Sequence, residues 1–176
     1  SSMKEKTGRV GLVLSSGALF RGIEKKIRQN IIEKHDYLVA VIQLGPNIFY
    51  GATIAPCILI FKAKKLESEK GNVLIINASE IYETGRAQNY LREKHIDEIL
   101  KIYQNREEKK HVSKIVKISE IAEEDWNLSV ARYIEPEPKE KIVPLKQASV
   151  DLKKAIQEFE KSEKSLEKIL QKERLL

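Results

Sequence analysis

Four short apolar runs, each stopped by turn-forming residues, decide what this 176-residue chain can become. They occupy 10–14 (Val-Gly-Leu-Val-Leu), 38–44 (Leu-Val-Ala-Val-Ile-Gln-Leu), 57–61 (Cys-Ile-Leu-Ile-Phe) and 73–76 (Val-Leu-Ile-Ile). Unbroken rather than alternating apolar sequence is what a strand buried on both faces requires. Between the first two runs, Ile23, Ile27 and Ile31 repeat at i, i+4 and i+8 and share one helical face. A strand, a helix and a strand in that order make the first two strands parallel, with a right-handed crossover. The link from Leu44 to Cys57 is short and lacks a helical period, so the third strand returns antiparallel. The expected fold class is therefore α/β, with parallel strands plus an antiparallel one.

Residues 62–70 are polar and charged and read as a solvated connector. Ile96, Ile99, Leu100 and Tyr103 mark an amphipathic helix over 91–103. Residues 114–118 alternate and suit an edge strand, and Ser119 is placed to N-cap a short helix running to 124. Pro136 and Pro138 then break regular structure, which divides the chain into a domain over 1–138 and a helical tail over 139–176. In the tail Leu145, Leu152, Phe159 and Leu166 recur every seven residues, the seam of one long helix roughly 45 Å in length. A lone helix cannot bury such a stripe, so the tail packs either on its own domain or in a bundle with another chain.

Several function classes are excluded. The single cysteine, Cys57, lies within an apolar run and reads as a small buried hydrophobe; a chain with one cysteine holds no internal disulfide and suits a reducing, cytoplasmic setting. His35, His95 and His111 have no ligand-spaced partners, so no metal site is expected, and no Ser/His/Asp or Cys/His constellation is present. No apolar stretch reaches the roughly 20 residues of a membrane span, and the N-terminus lacks the apolar core of a secretory leader. The net charge of +6 favours a polyanionic partner, but acids and bases are interleaved along most of the chain.

Two segments carry candidate chemistry. Pro46-Asn47-Ile48-Phe49-Tyr50-Gly51 follows the second strand, and ligands of such sheets bind beyond the carboxyl ends of the parallel strands. By spacing alone Phe49 reads as a core plug and Tyr50 as a surface ring; the alternative is a pair of rings that stack on a planar ligand such as a nucleobase. Gly17 and Gly22 flank a turn that is neither a P-loop nor a dinucleotide fingerprint. Arg21 in that turn either meets a phosphate or solvates the helix start.

Residues 8–22 (Gly-Arg-Val-Gly-Leu-Val-Leu-Ser-Ser-Gly-Ala-Leu-Phe-Arg-Gly), Ile27-Arg28 and 40–51 (Ala-Val-Ile-Gln-Leu-Gly-Pro-Asn-Ile-Phe-Tyr-Gly) occur in order. After them come Ile54, 57–60, 71–79 (Gly-Asn-Val-Leu-Ile-Ile-Asn-Ala-Ser), Gly85-Arg86, Asn89-Tyr90-Leu91 and 127–133 (Asn-Leu-Ser-Val-Ala-Arg-Tyr). This ordered set resembles the modification subunits of type I restriction systems, in the region following their catalytic motif. Ser15 and Gly45 stand where that family commonly has proline, and Ala55-Pro56 replaces its more usual Pro-Thr.

The resemblance implies the C-terminal half of a Rossmann-like methyltransferase sheet, with the antiparallel strand between the first two. It implies methyl transfer from S-adenosylmethionine to an adenine amine after base flipping. Phe49 matches the position whose ring stacks on the flipped adenine, with Asn47 and Tyr50 as neighbours. The implied partners are DNA, the specificity subunit and, indirectly, the restriction subunit. The family's Phe-x-Gly-x-Gly-type cofactor turn and its Asn-Pro-Pro-Phe tetrapeptide are both absent from this sequence. No catalytic or cofactor-binding residue is therefore assigned, and the chain alone is expected to be inactive. The competing readings are a non-enzymatic interaction module and an unrelated α/β nucleotide-binding domain.

Overall fold

The computed structural model describes residue 4, residues 7–137 and residues 145–172. Two compact units divide the chain, Ser1–Glu137 and Pro138–Leu176. The expected boundary between 138 and 139 lies outside the described residues.

The first unit is built on a five-stranded mixed sheet. Its strands are β1 (Arg9–Ser15), β2 (Leu38–Leu44), β3 (Pro56–Lys62), β4 (Asn72–Ala78) and β7 (Ser113–Lys117), in the order β1-β3-β2-β4-β7. β3 is antiparallel to both β1 and β2, so those two point the same way without touching, and β2 is parallel to β4. β7 closes the far edge antiparallel to β4. Alternate residues of the central strands feed two separate cores. Val41, Cys57, Leu59, Val73 and Ile75 face one, while Ala40, Ile42, Leu44, Leu74 and Ile76 face the other. Burial on both sides is why these strands read as unbroken apolar runs.

The second core is covered by α2 (Glu93–Asn105), which buries Ile99 and Ile102, whereas Ile96 and Leu100 of the expected face remain exposed. The first core is covered by Leu19 and Ile32, by Ile121 of α3 (Ile118–Glu123), and by Trp126, Leu128, Val130, Tyr133 and Ile134. Burial lifts the Cys57 thiol to about 11, so it is a core residue with no thiolate at neutral pH.

Four expectations are corrected. β1 is not buried: Val10, Leu12 and Val13 are 38%, 43% and 50% exposed, because among the described residues nothing pairs with its outer edge. The helix at 23–32 is broken into a 3-10 turn, the short α1 (Lys25–Gln29) and a π turn. Ile23 and Ile27 point outward, and the inward side belongs to Arg28 and Ile32. Lys117 rather than Ser119 caps α3, so Ser119 lies within the helix.

The connector after β3 is solvated at Lys64, Leu66, Glu67, Ser68 and Lys70 but not throughout. Lys62, Lys65 and Glu69 are buried there as ion pairs, Lys62 with Glu69 and Lys65 with Asp36, each at 2.5 Å. Burial by itself would raise the Glu69 carboxyl, but the Lys62 ammonium and the Leu66 N–H hold it below the ordinary carboxylate value.

In the second unit α4 (Leu145–Lys172) is one helix of 28 residues. Leu145, Leu152, Phe159 and Leu166 of its seam are exposed.

Candidate target-base loop

The loop between β2 and β3 is shaped by residues suited to two tight turns. Pro46 fixes its own φ, and Asn47 takes φ +54°, a left-handed conformation that asparagine tolerates better than most residues. Phe49 and Ala52 then bridge across a second turn, closed by the Ala52 N–H on the Phe49 carbonyl at 3.1 Å. Gly51 carries that turn with φ +73°. Tyr50 is left at the corner, 94% exposed, with Phe49 beside it at 48%. The exposure of Phe49 overturns its core-plug reading, while Tyr50 is the surface ring expected, and both rings reach solvent at the carboxyl end of β2.

A cleft of about 350 Å³ opens at the same end of the sheet. Ser16, Gln43, Asn77, Ser79 and Ser129 supply its polar lining, and Leu19, Phe20, Val130 and Ile134 its apolar lining. Gln43 and Asn77 close the inner ends of β2 and β4, and sequence reasoning passed over both because each looks like an ordinary strand-end residue. Gln43 Nε2 donates to the Pro56 carbonyl at 3.1 Å, and Asn77 Oδ1 accepts from the Ser79 N–H at 3.2 Å.

Arg21 stands apart from the aromatic loop. Its guanidinium folds over Gly17, where a Cβ would lie 2.9 Å from Nε, and it pairs loosely with Glu24 at 3.7 Å. No hydrogen bond or ion pair joins it to 47–50 among the described residues. The structure brings Asn47, Phe49 and Tyr50 together and leaves Arg21 in the turn after β1.

The segment 127–133 closes back on that turn. Leu128 N–H donates to the Leu19 carbonyl at 2.9 Å, Ser129 N–H to Asn127 Oδ1 at 2.9 Å and the Tyr133 hydroxyl to the Asn127 carbonyl at 2.5 Å. Burial, with Glu124 and Glu120 nearby, pushes the Tyr133 phenol up to about 12, so it stays a donor at all ordinary pH values. The motif is a clasp that ties the end of the unit to the turn after β1.

A family model for N-6 DNA methylases matches residues 2–142. The chain belongs to that family. It is 41% identical over 167 residues to the type I restriction enzyme MjaVII methylase subunit of Methanocaldococcus jannaschii, a match covering 92% of this chain and 27% of that protein. The chain thus spans about a quarter of the length of this curated relative, as a fragment of a type I methylase subunit would.

Among solved structures, the type I methyltransferase subunit from Streptococcus thermophilus superimposes with a TM-score of 0.68 at 33% identity, over 74% of this chain and 27% of that one. The M protein of the EcoKI type I enzyme shares the fold, with a TM-score of 0.57 at 14% identity, over 92% of this chain and 41% of its own.

The family implies S-adenosylmethionine, and the residues present do not fit it. A ribose diol calls for an acidic partner and a glycine turn at a strand end. The cleft lining holds no carboxylate, and no Phe-x-Gly-x-Gly-type turn follows a strand among the described residues. No group of three or more metal-binding side chains occurs among them, and no helix there is long and apolar enough to cross a membrane.

Proposed function

We propose that this chain supplies the target-base wall of a DNA adenine methyltransferase. Its Phe49 stacks on an adenine extruded from the duplex, with Tyr50 and Asn47 flanking it. The observation that carries this reading is the outward placement of Phe49 and Tyr50 at the carboxyl end of β2 in a chain of the N-6 DNA methylase family. Stacking of a base on an aromatic ring is worth about 1–3 kcal/mol. Phe49→Ala in the assembled enzyme should therefore slow adenine methylation about ten- to a hundredfold, read as transfer of labelled methyl groups to DNA. An unchanged rate would show that the ring does not serve the base.

The cofactor turn and catalytic tetrapeptide come from the remainder of the methylase, so S-adenosylmethionine binds there. The assembly works in the cytoplasm, with DNA and the specificity subunit as direct partners and the restriction subunit as an indirect one. α4 is the contact for the specificity subunit, since its exposed seam of Leu145, Leu152, Phe159 and Leu166 is the surface a helical bundle needs. Deleting residues from 145 onward should abolish co-purification with that subunit. The thermal midpoint of the α/β unit should not move, because every described residue of its two cores lies before 135. Retained co-purification would remove α4 from the interface.

A further inference from the structure

The segment 79–90 packs along the base of the aromatic loop. Tyr82 presses on Gly45, where a Cβ would lie 2.4 Å from the ring. Asn89 is buried and gives two donors to the loop. Its backbone N–H bonds the Asn47 carbonyl and its Nδ2 the Pro46 carbonyl, both at 2.8 Å. Asn47 Nδ2 returns a bond to the Ala87 carbonyl at 3.2 Å. All three bonds fall on the two residues that set the direction in which the chain leaves β2.

The short hairpin of β5 (Glu83–Thr84) and β6 (Asn89–Tyr90) holds Asn89 in place. Gly85 keeps that hairpin narrow, since a Cβ there would meet the Tyr90 ring at 2.4 Å and the Gln88 carbonyl at 2.5 Å. On its outer side Arg92 lies over the Tyr90 ring at 4.8 Å and pairs with Glu83 at 3.0 Å.

We propose that Asn89 is a positioning residue for the target base: it fixes the turn at Pro46 and Asn47, and through that turn the aim of Phe49. The proposal rests on the stacking role of Phe49. Stacking needs the ring held in one place. Beyond Asn47 the loop rests on Ile48 against the second core, on the Phe49 to Ala52 turn and on the Ser16 N–H bonded to the Ala55 carbonyl, and the bonds from Asn89 fix the start from which these follow. A buried asparagine bonded to two successive carbonyls, to Pro46 by its side chain and to Asn47 by its backbone, supplies that restraint without touching the base.

The test uses the assembled methyltransferase. Asn89→Asp keeps the side-chain size but removes the donor to the Pro46 carbonyl. Asn47→Gly removes the return bond to Ala87 while easing the positive φ, so strain cannot account for its effect. Each should lower kcat for adenine methylation, Asn89→Asp by about tenfold, with KM for the cofactor unchanged. In a Phe49→Ala background Asn89→Asp should not lower the rate further, because Asn89 acts through that ring. Wild-type kcat in both variants overturns the proposal. So does an equal loss in the Phe49→Ala background, which would mean that Asn89 serves something other than the ring. A wild-type rate for Phe49→Ala alone overturns the stacking reading itself, and the single variant separates that failure from the other two.

Discussion

Arg28→Met will lower the unfolding free energy of the α/β unit by about 3–5 kcal/mol, as expected when a buried hydrogen-bond network loses its shared donor. Arg28 is 7% exposed and bonds three carbonyls: Trp126 at 2.8 Å through Nε, and Ala18 and Arg21 at 3.0 and 2.9 Å through Nη1. Methionine fills similar space but leaves all three acceptors without that donor, at about 1–3 kcal/mol for each that water cannot reach. The site also holds strain. Asp125 and Trp126 have φ +58° and +60°, and they end α3 with the Trp126 N–H on the Ile121 carbonyl and the Asp125 N–H on that of Ala122. Those paired bonds close a helix end in the left-handed conformation usually left to glycine. Arg28 fastens that turn to the turn after β1, so its loss releases both. In urea the midpoint should fall by roughly 2 M, given a slope of about 1–3 kcal/mol per M. Arg28→Lys should recover only part, because an ammonium lacks the planar fork. A loss under about 1 kcal/mol for Arg28→Met would show that the three contacts are not a structural anchor.

Arg28 also illustrates what the sequence could and could not reveal. The central strands were legible because burial on both faces leaves an unbroken apolar run, and the short link to Cys57 foretold an antiparallel β3. The helix after β1 was misread because the isoleucine period suggested a buried face. The inward position went to an arginine whose value lies in reaching three carbonyls from two distant turns. Such partners are 7, 10 and 98 residues away, and no local pattern records them.

The buried part of the connector at 62–70 escaped notice for the same reason. Lys65 looks as solvated as Lys64 and Lys70 until Asp36, 29 residues away, is brought beside it. At the site, Phe49 and Tyr50 were legible as an apolar loop after a strand, and the family resemblance singled out Phe49. Asn89 was not, since a buried asparagine holding another loop's carbonyls has no spacing signature.

Alone, this chain should transfer no methyl groups to DNA, and mixing it with a polypeptide bearing the cofactor turn and the catalytic tetrapeptide should restore transfer. The reason lies at β1. Among the described residues its seven residues pair with β3 alone, and Val10, Leu12 and Val13 expose apolar side chains beside an edge that would otherwise invite aggregation. A strand of the catalytic half added at that edge would extend the sheet beyond β1 and bring its own packing layer against the exposed side chains. Leu12→Lys and Val13→Lys should therefore block complementation. They should leave the isolated unit folded, because both positions are solvent-facing in it. Restored transfer that the lysine variants abolish assigns the edge to the catalytic half. A mixture that stays inactive, from a chain that still binds the specificity subunit through α4, would make this a non-enzymatic interaction module. In that case the aromatic loop would have lost its base.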